Sequence, residues 1–400
     1  MLKAALGLVA LVAGVFADQG KDLGSVLAGN QDLSKFYELI KKFPDILLQL
    51  PNYSGVTIAA PSNEAIDNIP YTALNGAWDP EDRDKTIPLL QYHILKGTVS
   101  IGGLAEGPTY FETTSLTNPA YTNVTSGQGV LINKQGDSAI FISGQGTRCS
   151  VTKSDIPFAG GLVQIVDNLL VPPTQLDKTA QAFRAVSFLG SLYAAKLMPD
   201  IAYRQNVTIF APSNDAFKLV GGGLAGLNAT QLARIIKYHV IPNQVLDSHL
   251  LTNGTNYTTL AMDASGMNPA HLTIRQDGNN KYANTAQIIQ PDILLANGVM
   301  HLIGSVLNPD VGNIVPNPDI ATQPPVYPVS TASGVFTSAL PCTTNCPVTT
   351  SDEATPTATA TTSLLFSSSS HGAGPRCTAQ AVGAAALGAI GLGAGMAAWM

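Results

Sequence analysis

The chain has 400 residues and a formal net charge of −6, and only 12% of its residues are charged. Its 21 lysines and arginines are too few for the basic stripe that nucleic acid demands, and its 4 cysteines do not make a disulfide scaffold. So sparse a charge suits a surface hydrated by sugar.

At the N-terminus, Lys3 precedes an uninterrupted apolar run over residues 4–16, and Val15 and Ala17 are the small residues of a cleavage site. Residues 1–17 are expected to be a signal peptide, with the mature chain starting near Asp18. The run is shorter than the ~20 apolar residues that a membrane-spanning helix requires.

The chain then states one domain twice. Val56-Thr57-Ile58-Ala59-Ala60-Pro61-Ser62-Asn63-Glu64-Ala65-Ile66 returns as Val207-Thr208-Ile209-Phe210-Ala211-Pro212-Ser213-Asn214-Asp215-Ala216-Phe217. Leu89-Leu90-Gln91-Tyr92-His93-Ile94 returns as Ile235-Ile236-Lys237-Tyr238-His239-Val240. Asp155, Gly161 and Leu170 through Pro172 correspond to Asp292, Gly298 and Leu307 through Pro309. Three segments in one order mean a tandem duplication, with domains at 19–173 and 176–310. The second copy is shorter between its landmarks, which places the differences in loops. Each half is large enough to hold its own core.

Within the first copy, residues 56–60 form an apolar run ended by Pro61, the pattern of a strand buried on both faces. Ser62 or Asn63 caps the helix that follows, with Glu64 near its positive end, and Ser213, Asn214 and Asp215 repeat the arrangement. Residues 86–94 and 229–240 read as helices running into the Tyr-His pairs. Residues 130–132 and 140–142 make a hairpin about Gly136-Asp137, and 161–171 read as a last strand. Cys149 aligns with Ala286 inside an apolar strand pattern, which predicts a buried free thiol. Gly221-Gly222-Gly223 has no phosphate-loop context and reads as a loop. Short strands mixed with clustered helices indicate an α+β domain, not a βαβ relay.

Composition shifts after the second copy. Pro316, Pro318, Pro324, Pro325 and Pro328 break any helix, and Ser, Thr and Ala dominate thereafter. Residues 311–370 are expected to be a disordered Ser/Thr/Pro-rich stalk, O-glycosylated or a plain linker. Cys342 and Cys346 within it are a disulfide candidate in an oxidising compartment. Residues 371–400 follow the small residues with a polar spacer and an uncharged apolar tail, the layout of a glycosylphosphatidylinositol attachment signal. Ser369, Ser370 and Gly372 are the candidate attachment residues, and a retained tail helix packing through Gly391 and Gly395 is the alternative. Sequons for N-glycosylation stand at Asn52, Asn123, Asn206, Asn228, Asn253 and Asn256. Asn206 sits awkwardly, directly before a strand that should be buried.

The repeated Val-Thr-Ile-x-Ala-Pro-Ser-Asn run, the Tyr-His pair and Asn297-Gly298-Val299-Met300-His301-Leu302-Ile303 together resemble the fasciclin domain over residues 19–309. The resemblance implies a wedge-shaped β-sandwich with packed helices in each domain. It also implies secreted or membrane-anchored proteins acting in cell adhesion and in matrix or wall association. By the same resemblance Tyr92, His93, Tyr238 and His239 are candidate binding residues, against the alternative that they pack internally. The copies are unequal: Gly160, Gln164, Asp167 and Lys96 stand where the second has Asn297, His301, Gly304 and Pro242.

Neither a cofactor nor a metal is expected, since the histidines lack ligand spacing and no nucleophile elbow, Walker loop or His-Glu-x-x-His helix occurs. The acidic run from Asp79 to Asp84 reads as a solvated helix start. The expectation is a non-catalytic cell-surface glycoprotein on the outer leaflet, whose partners are surface or matrix proteins or wall polysaccharides. A carbohydrate-active or other hydrolytic enzyme with an unrecognised site, for which Asp79, Glu81 and the histidines are candidates, and a purely structural wall glycoprotein are the alternatives.

Overall fold

A computed structural model describes residues 20–44, 46, 55–311 and 314–341, all within one compact unit. The signal segment, Asn52, Cys342, Cys346 and the attachment candidates lie outside the described residues.

The first domain contains β1 (Val56–Pro61), β2 (Ile94–Lys96), β3 (Thr109–Thr113), β4 (Gly129–Gln135), β5 (Ser138–Ile142), β6 (Arg148–Phe158) and β7 (Gly161–Val166). Their order is β2-β1-β7-β6-β5-β4-β3. The long, twice-bulged β6 pairs with β7 along one part and with β5 along another, so the sheet folds over on itself. An isolated bridge from Leu95 to Thr114 nearly closes it. The second domain repeats this with β8 (Val207–Pro212), β9 (Val240–Ile241), β10 (Asn256–Met262), β11 (Pro269–Asp277), β12 (Asn280–Ala283), β13 (Ala286–Leu295) and β14 (Gly298–Ile303).

All of β1 and all of β8 are buried, because each face meets a different core. Val56, Ile58 and Ala60 pack with Leu27, Phe36 and Ile40 of the N-terminal helices. Ala59 faces the inside of the folded sheet, with Tyr92, Val130, Phe141 and Cys149. That two-sided burial is why the strand reads as a continuous apolar run. β1 pairs in parallel with β7, and β8 with β14; every other named strand pair is antiparallel. The parallel contact is close. A Cβ at Gly161 would lie 1.8 Å from the Val56 carbonyl oxygen, and one at Gly298 1.9 Å from that of Val207.

The caps form as the sequence predicts: Ser62 Oγ accepts from the Ala65 N–H at 3.1 Å and Ser213 Oγ from Ala216 at 3.2 Å. The next helix spans Arg83–Tyr92, three residues earlier than the apolar pattern predicts, because Asp82 caps it through the Asp84 N–H at 3.0 Å. Pro88 inside that helix has no N–H to offer the Asp84 carbonyl. The Tyr121 hydroxyl donates to it instead, at 3.3 Å. Residues 130–132 and 140–142 fall in the β4–β5 hairpin, with Gly136 at φ 57° in the turn.

Two expectations are corrected together. Gly221-Gly222-Gly223 lies inside the helix Asn214–Ala225 rather than in a loop. Residues 314–341, expected to begin the extended stalk, run back over the second domain. The Ser330 and Ala332 N–H groups donate to the carbonyls of Leu219 and Lys218 at 2.9 and 3.0 Å, and the Gly222 N–H donates to Ser330 at 2.8 Å. Val335 is buried, and the Phe336 ring meets Phe217 edge-on at 6.2 Å. The glycines make the room: a Cβ at Gly221 would come within 2.3 Å of Val335, and one at Gly190 within 2.3 Å of the Phe336 carbonyl. A polar average hid a few apolar anchors, and the folded part continues to about residue 341. A chain ending at residue 313 should therefore melt several degrees below one ending at 341. Re-exposing Val335 and Phe336 surface costs about 2–3 kcal/mol. Equal melting temperatures in scanning calorimetry would show that the strap contributes nothing.

Candidate functional site: the repeated Tyr-His pair

The helix Arg83–Tyr92 ends at His93 and the helix Ala229–Tyr238 ends at His239, so each pair marks a helix C-terminus turning into a strand. Tyr92 is fully buried and Tyr238 nearly so, at 0% and 4% exposure, too little surface for a contact epitope. The Tyr92 hydroxyl donates to the Gly129 carbonyl at 2.8 Å and that of Tyr238 to the His271 carbonyl at 2.7 Å. Asn284 Nδ2 adds a bond to the Tyr238 hydroxyl at 3.0 Å. Each tyrosine thus ties the helix end across the core to the far half of the folded sheet.

The histidines are bolts of one design. Nδ1 of His93 donates to the Leu89 carbonyl at 2.8 Å, while its Nε2 accepts from the Leu170 N–H at 3.0 Å. In the second domain His239 Nδ1 meets the Ile235 carbonyl at 2.9 Å and Nε2 the Leu307 N–H at 3.0 Å. An Nε2 that accepts from a backbone N–H carries no proton, which fixes the neutral tautomer. Burial holds both imidazoles down at about 4.

The threonines of the repeated run behave alike. Thr57 Oγ1 donates to Gly97 at 2.9 Å and accepts from the Val99 N–H at 2.7 Å, and Thr208 does the same with Gln244 and Leu246 at 2.9 Å each. Asp155 and Asp292 are also equivalent, with φ 56° and 60°. Ile101, Gly102 and Ser100 donate to the Asp155 carboxylate, and Ser248 donates to that of Asp292. The Asp155 N–H donates to Gln164 Oε1 at 2.7 Å, whereas that of Asp292 donates to His301 Nδ1 at 3.2 Å. His301 Nε2 then donates to Leu246 at 2.9 Å, and burial pushes its pKa down. The Gln164-for-His301 difference is one polar bolt exchanged for another.

The remaining predicted residues fall elsewhere. Asn228, Asn253 and Asn256 are exposed, and each accepts a hydrogen bond through Oδ1: from the Gln231 N–H, the Gln276 N–H and the Thr273 hydroxyl. Asn123 and Asn206 are half-buried at the seam between the domains. Cys149 is a buried free thiol pushed up to about 12, mainly by burial. Asp79 and Glu81 are exposed; Asp79 accepts from the Glu81 N–H at 2.9 Å and Glu81 pairs with Lys42. Among the described residues no cluster of three or more His, Cys, Asp or Glu is placed to hold a metal ion, and no helix is long and apolar enough to cross a membrane.

The seam is what motif reading misses. Gln128 Nε2 donates to Leu295 at 2.9 Å, Thr122 Oγ1 to Ala296 at 3.0 Å, and the rings of Tyr110 and His249 stack 6.4 Å apart. Nothing in the local pattern marks these residues as partners, since they lie far apart in the chain.

The Fasciclin domain profile matches residues 31–172 and 184–309, and the chain belongs to that family. A fasciclin-like arabinogalactan protein of Arthroderma benhamiae is 27% identical over 329 residues, which is 81% of this chain and 76% of that protein. Another, of Phaeosphaeria nodorum, is 27% identical over 72% of this chain and 88% of its own length. A solved pair of such domains from the insect cell adhesion molecule fasciclin I shares 19% identity. It covers 70% of this chain and 98% of that one, at a TM-score of 0.33.

Proposed function

We propose that this protein is a non-catalytic surface glycoprotein that attaches cells to one another or to matrix or wall components. It is held on the outer leaflet by a glycolipid added at Ser369, Ser370 or Gly372. The observation that carries the reading is the fate of the Tyr-His pairs: all four side chains bond inward, to backbone groups of their own domain. The motifs build the frame, and the outer faces, which differ between the copies, remain for partners. Sugars on Asn228, Asn253 and Asn256 would border the second domain's face. Display of many copies multiplies weak contacts.

Phosphatidylinositol-specific phospholipase C applied to intact cells should release the protein and reduce their attachment together. Retention of the protein with its Trp399-Met400 terminus intact would rule out the anchor; release without any change in attachment would rule out adhesion.

A further inference from the structure

Two of the sequons meet each other. Asn123-Val124-Thr125 lies in the first domain, on the loop between β3 and β4, and Asn206-Val207-Thr208 enters the first strand of the second. The Asn206 carboxamide brackets Thr125: its Oδ1 accepts from the Thr125 N–H at 2.9 Å and its Nδ2 donates to Thr125 Oγ1 at 2.9 Å. Asn123 Nδ2 donates to the Tyr203 carbonyl at 3.1 Å. The backbone joins in, with the Asn123 N–H donating to Ala296 at 2.7 Å and the Asn206 N–H to the Asn123 carbonyl at 3.3 Å. Asn206 has φ 53°, a left-handed conformation that asparagine tolerates.

We propose that Asn123 and Asn206 form an interdomain clasp that excludes N-linked glycan, so that modification at either site and closure of the domain pair are mutually exclusive. An N-glycan is attached through Nδ2 of the carboxamide. At Asn123 and Asn206 that nitrogen already donates one hydrogen across the seam, and both residues are half-buried, so a sugar ring there competes with the opposite domain for the same space. At Asn228, Asn253 and Asn256 the engaged atom is Oδ1 and the residue is exposed, so the same modification leaves their bonds in place. The five sequons among the described residues thus fall into two kinds, one set for sugar and one set that reports whether the domains are closed.

The inference rests on passage through the secretory pathway for its sugar, though the clasp itself does not. The full chain secreted from a glycosylating host would be mapped site by site by mass spectrometry. Each glycan would then be trimmed to its first sugar and the species compared by small-angle scattering. The expected result is sugar on Asn228, Asn253 and Asn256, with Asn123 and Asn206 bare in the compact species. Any species modified at those two should show a larger radius of gyration. Sugar on Asn123 or Asn206 in a species with the compact curve would overturn the proposal. A second arm uses unglycosylated protein. Asn206→Gly keeps the left-handed backbone but removes the carboxamide, and Thr125→Val removes its hydroxyl partner. Both should enlarge the radius while each domain keeps its melting temperature; an unchanged curve would sink the clasp whatever the sugar does.

Discussion

Lowering the pH from 7 to 4 is expected to strip both domains of a large share of their stability. His93 and His239 are wholly buried, and each presents an unprotonated Nε2 to a backbone N–H, so a proton there would oppose two donors. Burial holds both at about 4 against an ordinary 6.5. The sign follows from which state takes up the proton. Above pH 6.5 neither state is charged and the full stability is present. Between 6.5 and 4 the unfolded chain binds protons that the native rings refuse, so stability falls as pH falls. A depression of that size is worth about 3 kcal/mol per ring, a large share of a domain's ~5–15 kcal/mol. His301, also depressed by burial, adds to the loss in the second domain. Melting temperatures followed by circular dichroism across this window should drop steeply. A flat profile between pH 7 and 4.5 would contradict neutral buried histidines.

Replacing Tyr92 by alanine should cost the first domain about 3–5 kcal/mol, the range for truncating a buried aromatic, and leave the Gly129 carbonyl without its donor. Tyr92→Phe keeps the packing and should cost about 1–3 kcal/mol, the expense of the unsatisfied carbonyl alone. Tyr238→Ala should lower the second domain's melting temperature in the same way, since its ring is buried and its hydroxyl bonds to His271 and Asn284. If the pairs were a receptor epitope, these variants would melt normally and fail in cell attachment. Denaturant unfolding of each variant beside an attachment assay separates the two outcomes.

What the sequence made legible was local or repeated. The strand over residues 56–60, the Ser62 and Ser213 caps and the β4–β5 hairpin each rest on a few neighbouring residues whose pattern has one good solution. The duplication exposed Tyr92-His93 and Tyr238-His239 as a unit, yet the letters did not say which way they turn. That depends on Leu170 and Leu307, brought to the rings only by the fold. The strap escaped for a different reason. Val335 and Phe336 are two apolar residues in a polar average, and their landing place at Gly190 and Gly221 carries no signal until the segment is seen upon it. The sequons at Asn123 and Asn206 gave no sign that both side chains bond across the seam, because the motif describes an acceptor, not its surroundings; the strand directly after Asn206 was the one available warning.

The most direct test of a non-catalytic, surface-binding role is a glycan and matrix-protein array probed with the purified secreted chain, run beside a screen for hydrolase activity. Saturable binding without turnover, retained when Asp79 or Glu81 is replaced, is the predicted result. Turnover of any polysaccharide, abolished by a single carboxylate substitution, would contradict it.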